Sequence, residues 1–276
     1  MEWKPATEGI YYGLPEEIYR YAPGINNNTL KLYGIPEEIY RSAPGINNST
    51  LKLMRRSPRH YLNALENPEH KDSPAMLFGR LVHQAILETH RPQGYVIRPE
   101  GMRFNTKEGK EWRDSQTLPV IDLADAERIT SIAGAVHEHP LGKEIMAGST
   151  EVSVFKKDPS TGLLLKARID CMTGSRIIDI KTTEDASAAS FAKSCQAFGY
   201  ARQAAFYGMV TGCWDFTFLA VEKEAPYACQ AFRIAKGCIQ TAIQQIRLDL
   251  DRIKECITLQ DWPGYDNSTK EIEIYV

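Results

Sequence analysis

Two β-strands joined by a tight turn are predicted by the stretch Ala167-Arg-Ile-Asp170-Cys-Met-Thr-Gly-Ser-Arg-Ile-Ile-Asp179-Ile-Lys181-Thr-Thr183. Residues 163–172 and 176–181 are the strands, because apolar and β-branched residues dominate both, and the Thr-Gly-Ser segment between them is the turn. Since side chains alternate along a strand, Asp179 and Lys181 point to one face while Ile180 points into the core. Asp170, at the end of the first strand, then converges with them on one point.

Two carboxylates and one ammonium group in one place suit the hydrolysis of a phosphodiester. Hard oxygen ligands hold Mg²⁺, which polarises a phosphoryl oxygen and lowers the pKa of a bound water. A neighbouring lysine can orient that water or neutralise developing negative charge. The alternative is a surface hairpin with an ordinary Asp–Lys pair, because D-x-K is a short and common pattern. The apolar residues on both sides of Asp179 favour a buried strand, where an unpaired carboxylate is costly and a metal is one partner for it.

Helices before, between and after the strands surround this hairpin. The turn at residues 158–162 precedes it, and periodicity and capping signals predict the other elements. The further predicted strands are 151–157, 216–222 and 229–234, and the predicted helices are 49–56 (capped by Ser49), 57–65, 75–89, 106–117, 123–138, 187–211 and 236–259. This order predicts an α/β fold, with a central mixed β-sheet flanked by helices.

The N-terminus contains a tandem repeat with a period of 21 residues, since Tyr12–Leu32 is followed by the near-identical Tyr33–Leu53. Two copies are too few for a solenoid, so a local duplication is the better interpretation. Only the second copy leads directly into the rest of the chain. We therefore divide the sequence into an N-terminal appendage, residues 1–45, which contains the first copy, and a domain of residues 46–276.

Composition restricts the class of protein without choosing a function. The chain has 276 residues, of which 43% are hydrophobic and 25% charged, and its net charge is −2, so a polyanion partner requires a local basic patch. No apolar run of membrane-spanning length and no secretory signal is present. The six cysteines are widely spaced, which argues against a zinc site, an iron–sulfur cluster or a disulfide framework and fits a reducing cytoplasm.

Four motifs in this order resemble the nuclease domain of the RecE-like exonucleases (the exonuclease VIII group) of the PD-(D/E)xK superfamily. The resemblance covers roughly residues 46–265, and each motif alone is weak. The motifs are Gly79-Arg-Leu-Val-His83, Arg168-Ile-Asp170, Asp179-Ile-Lys181-Thr-Thr183 and Tyr200-Ala-Arg-Gln203-Ala-Ala-Phe-Tyr207. Aspartate at position 179, where many superfamily members carry glutamate, fits the RecE-like branch. The four cysteines of the Cas4-type cluster are missing.

The resemblance implies a restriction-endonuclease-like core and a role for each matching residue. Asp170 and Asp179 are the expected metal-binding carboxylates, and Lys181 is the expected catalytic lysine. The Ile180 backbone carbonyl and His83 are further implied metal ligands. Gln203 and Tyr207 are expected to line the site from one helix face. Glu151 is an additional candidate for a metal or water contact.

Basic clusters supply candidates for contacts with DNA phosphates. One surrounds the Ser57-Pro58 break and the other lies on the predicted helix 106–117. A solvated face is the usual meaning of such clusters, but in a nuclease they are natural phosphate contacts. The candidates are Arg55, Arg56, Lys107 and Lys110.

The resulting expectation is a Mg²⁺-dependent DNA exonuclease, for which Mn²⁺ is the alternative metal. It would degrade linear double-stranded DNA from its ends, 5′→3′, in phage-type recombination, in the cytoplasm of a bacterial or phage-infected cell. The resemblance also implies a ring-shaped homo-oligomer and a single-strand annealing partner protein. Two alternatives stay open: a structure-specific or nicking endonuclease with the same fold, and a DNA-binding module without catalytic activity.

Overall fold

A mixed β-sheet with helices on both faces forms the centre of the computed structural model, which describes residues 25–26, 29–32, 35–67, 73–266, 268–269 and 271. The strands are β1 (Ile25–Asn26), β2 (Thr29–Leu32), β5 (Ser149–Lys157), β6 (Leu164–Thr173), β7 (Arg176–Thr183), β8 (Asp215–Glu222) and β9 (Cys229–Phe232), paired in that order. A separate pair joins β3 (Val96–Ile97) to β4 (Val120–Ile121). The predicted α/β class is confirmed.

One pair of neighbours among the five central strands, β5 to β9, is parallel. Neighbours pair antiparallel except β7 and β8, which run parallel from Arg176↔Asp215 to Thr183↔Glu222. A parallel pair requires a crossover connection, and two consecutive helices supply it. The sheet is therefore mixed, as the sequence predicts.

Helices precede, interrupt and follow these strands. They are α1 (Glu37–Ser42), α2 (Asn48–Leu51), a 3₁₀ helix (Lys52–Arg55), α3 (Pro58–Glu66), α4 (Pro74–Leu87), α5 (Lys107–Asp114), α6 (Leu123–Glu138), α7 (Gly142–Ala147), α8 (Ala188–Phe198), α9 (Tyr200–Thr211) and α10 (Lys236–Leu259). None of these helices, among the residues that the structure covers, is long and apolar enough to cross a membrane.

Two details of the predicted helices are corrected. The predicted helix 187–211 is two helices, α8 and α9, because Gly199 adopts a left-handed conformation with φ +75° and ends the first of them. The N-cap predicted at Ser49 is instead Asn47, whose side chain accepts a hydrogen bond from the Thr50 amide at 2.8 Å. The helix that Asn47 starts also tightens to 3₁₀ geometry from Lys52 onward.

Two hydrophobic clusters fill the space between the sheet and its helices. On one face, strand residues such as Ile177 and Phe218 pack with α2, α3, α9 and α10. On the other face, Ile178 and Ile180 pack with α4, α6 and α7. Because β7 contributes alternate residues to the two clusters, Asp179 and Lys181 face the same side as Ile177, as the alternation predicts.

The second repeat copy packs closely against the sheet. Ile35 is fully buried, and the Ile46 amide donates to the Leu164 carbonyl at 2.8 Å. Strand β2, from the end of the first copy, pairs antiparallel with β5. The division of the chain between residues 45 and 46 stays a prediction, but residues 35–45 pack against the larger part.

Candidate active site

Three strands and one helix bring the candidate site residues together. Glu151 lies on β5, Asp170 on β6, and Asp179 with Lys181 on β7, while His83 comes from α4. The register pairs of β6 and β7 run as far as Cys171↔Ile178. Just beyond this last pair, the Asp170 carboxylate accepts a hydrogen bond from the Ile180 amide at 2.8 Å. This bond fixes Asp170 against β7 at the centre of the site.

His83, Glu151 and Asp170 form a group of potential metal ligands, which we call the ligand cluster. One ligand atom from each residue lies within 4.8 Å of the other two. The His83 Nδ1 is 3.5 Å from Asp170 Oδ2. An imidazole nitrogen and carboxylate oxygens are donors that bind Mg²⁺, Mn²⁺ or another first-row divalent ion. The cluster therefore fits a divalent cation, and its three residues would hold that ion.

The protonation behaviour of the ligand cluster follows from burial and crowded negative charge. Burial, together with the Asp179 charge, raises the pKa of Asp170 to about 8. Burial also raises the pKa of Glu151, and the nearby Asp170 adds to this, although Arg168 opposes it. Burial and the Lys181 charge lower the pKa of His83, which favours the neutral imidazole that a metal requires. Without a cation, the two carboxylates resist being charged together.

Glu151 is held in an unusual backbone conformation. Its φ is +52°, which is rare for a residue other than glycine and lies within β5. The side chain forms an ion pair with Arg168, which also donates to the Ile35 carbonyl at 3.0 Å. Backbone strain of this kind persists where surrounding contacts impose it and often accompanies a functional site. The arrangement turns the Glu151 carboxylate toward Asp170 and His83.

A second group lies next to the ligand cluster and consists of Asp179, Lys181, Gln203 and Tyr207; we call it the lysine network. Lys181 Nζ is 2.5 Å from Asp179 Oδ2, and Gln203 Nε2 donates to Asp179 Oδ1 at 2.6 Å. Gln203 also hydrogen-bonds with the Tyr207 hydroxyl. The Asp179 carboxylate is 1% exposed, so its charge is compensated almost entirely by these neighbours.

Lys181 is a buried cation whose surroundings keep it charged. Burial alone would lower its pKa, but the carboxylates of Asp179 and Asp170 outweigh that effect and raise it. Its ammonium group also lies 5.1 Å from the centre of the Tyr200 ring, within the range of a cation–π contact. Tyr207 has a pKa raised well above its ordinary value, mainly by burial and then by Asp179, so it is a neutral hydroxyl at physiological pH.

A cleft passes over both groups. It consists of two cavities of about 580 and about 880 Å³, and Arg41, Arg168 and Lys181 line both of them. Gln203 and Tyr207 line the first, while His83, Glu151 and Asp170 line the second. The ligand cluster and the lysine network thus face one continuous opening with basic walls.

The predicted DNA-contact residues lie away from this cleft. The four side chains Arg55, Arg56, Lys107 and Lys110 are exposed and are not among the lining residues. Their predicted contact with DNA phosphates stays a prediction, in which they would bind DNA outside the cleft.

Other basic residues line the cleft instead. Arg41 belongs to the second repeat copy, and Arg80 lies within the Gly79-Arg-Leu-Val-His83 motif. The cleft-lining basic residues are Arg41, Lys52, Arg80, Arg91, Lys166, Arg168 and Lys181. The R-x-D spacing of Arg168 and Asp170 is the sequence signal for Arg168, and the P-E-E-I-Y-R phrase of the repeat is the signal for Arg41.

Comparison with known proteins identifies the family and the fold. A family model described as a PDDEXK-like domain of unknown function, DUF3799, matches residues 47–273. A crystal structure of a putative exonuclease from Eubacterium rectale superimposes with a TM-score of 0.60 at 15% identity, covering 87% of this chain and 96% of that one. A protein from Vibrio cholerae, at 12% identity over 84% of this chain and 58% of its own, has a TM-score of 0.24, too low to imply a shared fold. A search of curated proteins finds no match.

Proposed function

Because the chain belongs to the PDDEXK-like DUF3799 family, we propose that it is a metal-dependent DNA nuclease and that it acts as an exonuclease on linear duplexes. The observation that carries the proposal is the ligand cluster, with its ligand atoms within 4.8 Å of one another, beside the Asp179–Lys181 pair in one basic cleft. The solved structure with the same fold is described as a putative exonuclease, which favours the exonuclease form of the activity.

The ligand cluster provides the metal-binding part of the proposed mechanism. When bound, a divalent cation polarises a phosphoryl oxygen and lowers the pKa of a water. Neutral His83 and the carboxylates of Glu151 and Asp170 would hold it, and the Ile180 amide keeps one Asp170 oxygen oriented. The Ile180 carbonyl, which accepts a hydrogen bond from His83, is a further proposed ligand of the ion. Mg²⁺ is the proposed ion and Mn²⁺ the alternative.

The lysine network provides the positioning part. Lys181 carries a permanent charge at the cleft, where it would neutralise negative charge developing on the phosphate. Asp179 holds the Lys181 ammonium group in place through an ion pair, and Gln203 in turn holds Asp179 by donating a hydrogen bond to it. Asp179 remains a proposed metal ligand as well, because its charge is close enough to raise the pKa of Asp170. Tyr207 fixes Gln203 from the same helix.

The DNA-strand polarity and the partners are further parts of the proposal. By resemblance to the RecE-like exonucleases, we propose 5′→3′ degradation of double-stranded ends, a ring-shaped homo-oligomer and a single-strand annealing partner. The basic residues of the cleft are suited to contact with phosphates. Light scattering during gel filtration tests the ring, and a monomer at working concentration would remove that part of the proposal.

Digestion of end-labelled DNA tests the proposed activity directly. Purified protein with Mg²⁺ should release nucleotides from a linear duplex, with the labelled 5′ end lost first, and EDTA should stop the release. A covalently closed circular duplex should stay intact, because an exonuclease needs an end. Cleavage of the circle would establish the endonuclease alternative. Absence of both cleavage and Mn²⁺ binding by calorimetry would leave the DNA-binding module.

A further inference from the structure

A surface made by β5 and β6 holds the second repeat copy, and we call it the repeat-binding surface. Its residues are Phe155, Leu164, Leu165, Lys166 and Arg168. The Tyr40 ring packs on it at 6.0 Å between ring centres, and Ile46 forms a parallel bridge with Leu165.

Lys166 is the main polar contact of this surface with the repeat. Its buried ammonium group donates to the carbonyls of Tyr40, Arg41 and Ala43, at 3.0, 3.0 and 2.5 Å. These carbonyls belong to the C-terminal end of α1, where the helix dipole favours a cation. The Lys166 amide also donates to the Ile46 carbonyl at 2.8 Å. Most of these contacts use backbone atoms, so they depend on the conformation of the repeat.

The first copy retains the residue types that the second copy uses here. The two copies differ at three of their 21 positions: Leu14 in place of Ile35, Tyr21 in place of Ser42, and Asn28 in place of Ser49. Ile35 is buried, but leucine is of similar size and polarity. Ser42 and Ser49 are exposed, so a change there leaves the contacts intact. The duplication has diverged at two exposed positions and by one exchange of similar apolar residues at a buried position.

The shared phrase of the two copies adopts different structures in this chain. In the first copy, Ile25–Asn26 and Thr29–Leu32 are strands β1 and β2. In the second copy, the residues that match Ile25 and Asn26 are Ile46, in a β-bridge, and Asn47, the N-cap of α2. The residues that match Thr29–Leu32 are Thr50 and Leu51 in α2 and Lys52 and Leu53 in the 3₁₀ helix. The phrase is therefore not committed to one conformation by its own sequence, and tertiary contacts decide which one it takes.

We propose that the repeat-binding surface accepts either copy of the repeat, so that the first copy can replace the second within the same chain. In the exchanged state, residues 12–32 occupy the surface, Thr29–Leu32 give up their pairing with β5, and residues 33–53 become an insertion before Met54. Closing a loop of this length costs little more than closing a shorter one. The exchanged copy would also supply Tyr19 and Arg20 to the cleft, at the places of Tyr40 and Arg41. The cleft wall would thus be preserved in both states.

Matched substitutions in the two copies test the exchange. Ala43 is 3% exposed against the surface, so Ala43→Arg should expel the second copy. Ala22→Arg is the same change in the first copy and should leave the unfolding temperature unchanged. Ala43→Arg alone should lower it by only a few degrees, because the first copy takes over. The double variant should lose at least about 10 °C or fail to fold, since neither copy fits.

Hydrogen exchange measured by mass spectrometry shows which copy is bound. In Ala43→Arg, amide protection should move from residues 36–47 to residues 15–26. Light scattering should give the same molar mass for this variant as for the unmodified chain. Deleting residues 12–32 should abolish the tolerance of Ala43→Arg. If Ala43→Arg lowered the unfolding temperature equally with and without the first copy, the proposal would be overturned. A doubling of the molar mass in Ala43→Arg would also overturn it, because the exchange would then take place between two chains.

Discussion

The ligand cluster and the lysine network are neighbours in one cleft, yet their charges are balanced in opposite ways. In the lysine network, the Asp179 carboxylate lies 2.5 Å from an ammonium group and accepts from Gln203 at 2.6 Å. In the ligand cluster, Glu151 forms an ion pair with Arg168, whereas the Asp170 carboxylate directly contacts the Ile180 amide and the His83 imidazole, and the charges of Lys181 and Arg168 only partly offset its burial. Burial and the Asp179 charge raise the pKa of Asp170 to about 8.

Because of this difference, we expect the two groups to contribute differently to metal binding and to hydrolysis. The lysine network is electrically complete without any ion, so Lys181 and Gln203 should affect the rate of hydrolysis more than metal affinity. The ligand cluster gains most from a cation, because a divalent charge removes the repulsion between its carboxylates. Measurements that separate metal binding from hydrolysis can therefore test whether the two groups are functionally distinct.

Asp170→Asn should have the largest effect, because Asp170 joins the two groups. We expect loss of Mn²⁺ binding by calorimetry and a fall in nuclease rate of at least about 10³-fold, since the cation provides most of the catalytic charge. Asp261→Asn, a change of an exposed acid on another part of the chain, is the matched control. Mn²⁺ binding of unchanged affinity in Asp170→Asn would contradict the assignment of the ligand cluster.

Lys181→Met should separate rate from metal affinity. We expect a fall in rate of about 10²- to 10³-fold, the usual cost of removing a group that stabilises transition-state charge, with Mn²⁺ affinity changed by less than about fivefold. The variant leaves Asp179 buried without its cation, so its stability must be followed by thermal unfolding. The double variant Asp179→Asn/Lys181→Met removes that unpaired charge. If the folded Lys181→Met variant lost metal binding as completely as Asp170→Asn, the two groups would be one site.

Glu151→Gln should produce a smaller effect that extra metal can reverse. The amide keeps the shape of the side chain but loses the charge, so we expect about tenfold weaker Mn²⁺ binding. The nuclease rate should recover at saturating metal, because the lysine network is untouched. Ser153→Ala, a change on the same strand at a residue that also contacts Arg168, is the control. A rate that stays low at saturating metal would place Glu151 in the chemical step.

The sequence predicts the centre of this site better than its walls. Alternation along β7 places Asp179 and Lys181 together, and the apolar residues around them predict burial, because both are local properties of a strand. The walls depend on contacts between distant parts of the chain. Lys166 and the Tyr40 carbonyl, for example, are 126 positions apart. No periodicity reveals that α1 lines the cleft, so its residues were assigned to an appendage.

Exposed basic clusters are difficult to place from sequence for a related reason. Charges on a helix show that one face is solvated, but not which cleft that face adjoins. Arg55 hydrogen-bonds with Gln245 on α10, and Lys107 pairs with Glu111 on its own helix. Periodicity also does not reveal the break at Gly199, because the apolar period of α8 continues into α9 and a single glycine is tolerated within many helices.

The smallest predicted effect is a pH dependence of stability that belongs to the ligand cluster alone. Because burial and the Asp179 charge raise the pKa of Asp170 in the folded protein to about 8, its contribution to stability is greatest at low pH and is lost as pH rises toward 8. His83 has a lowered pKa and contributes mainly below pH 6.5, so from about pH 6.5 to 8 the carboxylates of the cluster remain, and comparison with Asp170→Asn isolates the part that belongs to Asp170. In EDTA, the unfolding temperature should fall by a few degrees across this window, and Asp170→Asn, which cannot ionise, should show a flatter profile. Mg²⁺ should stabilise the protein more at pH 8 than at pH 6.5, since it binds the ionised carboxylate. A profile of equal slope in both proteins would show that Asp170 is already ionised without metal, and the contrast between the two groups would then lose its electrostatic basis.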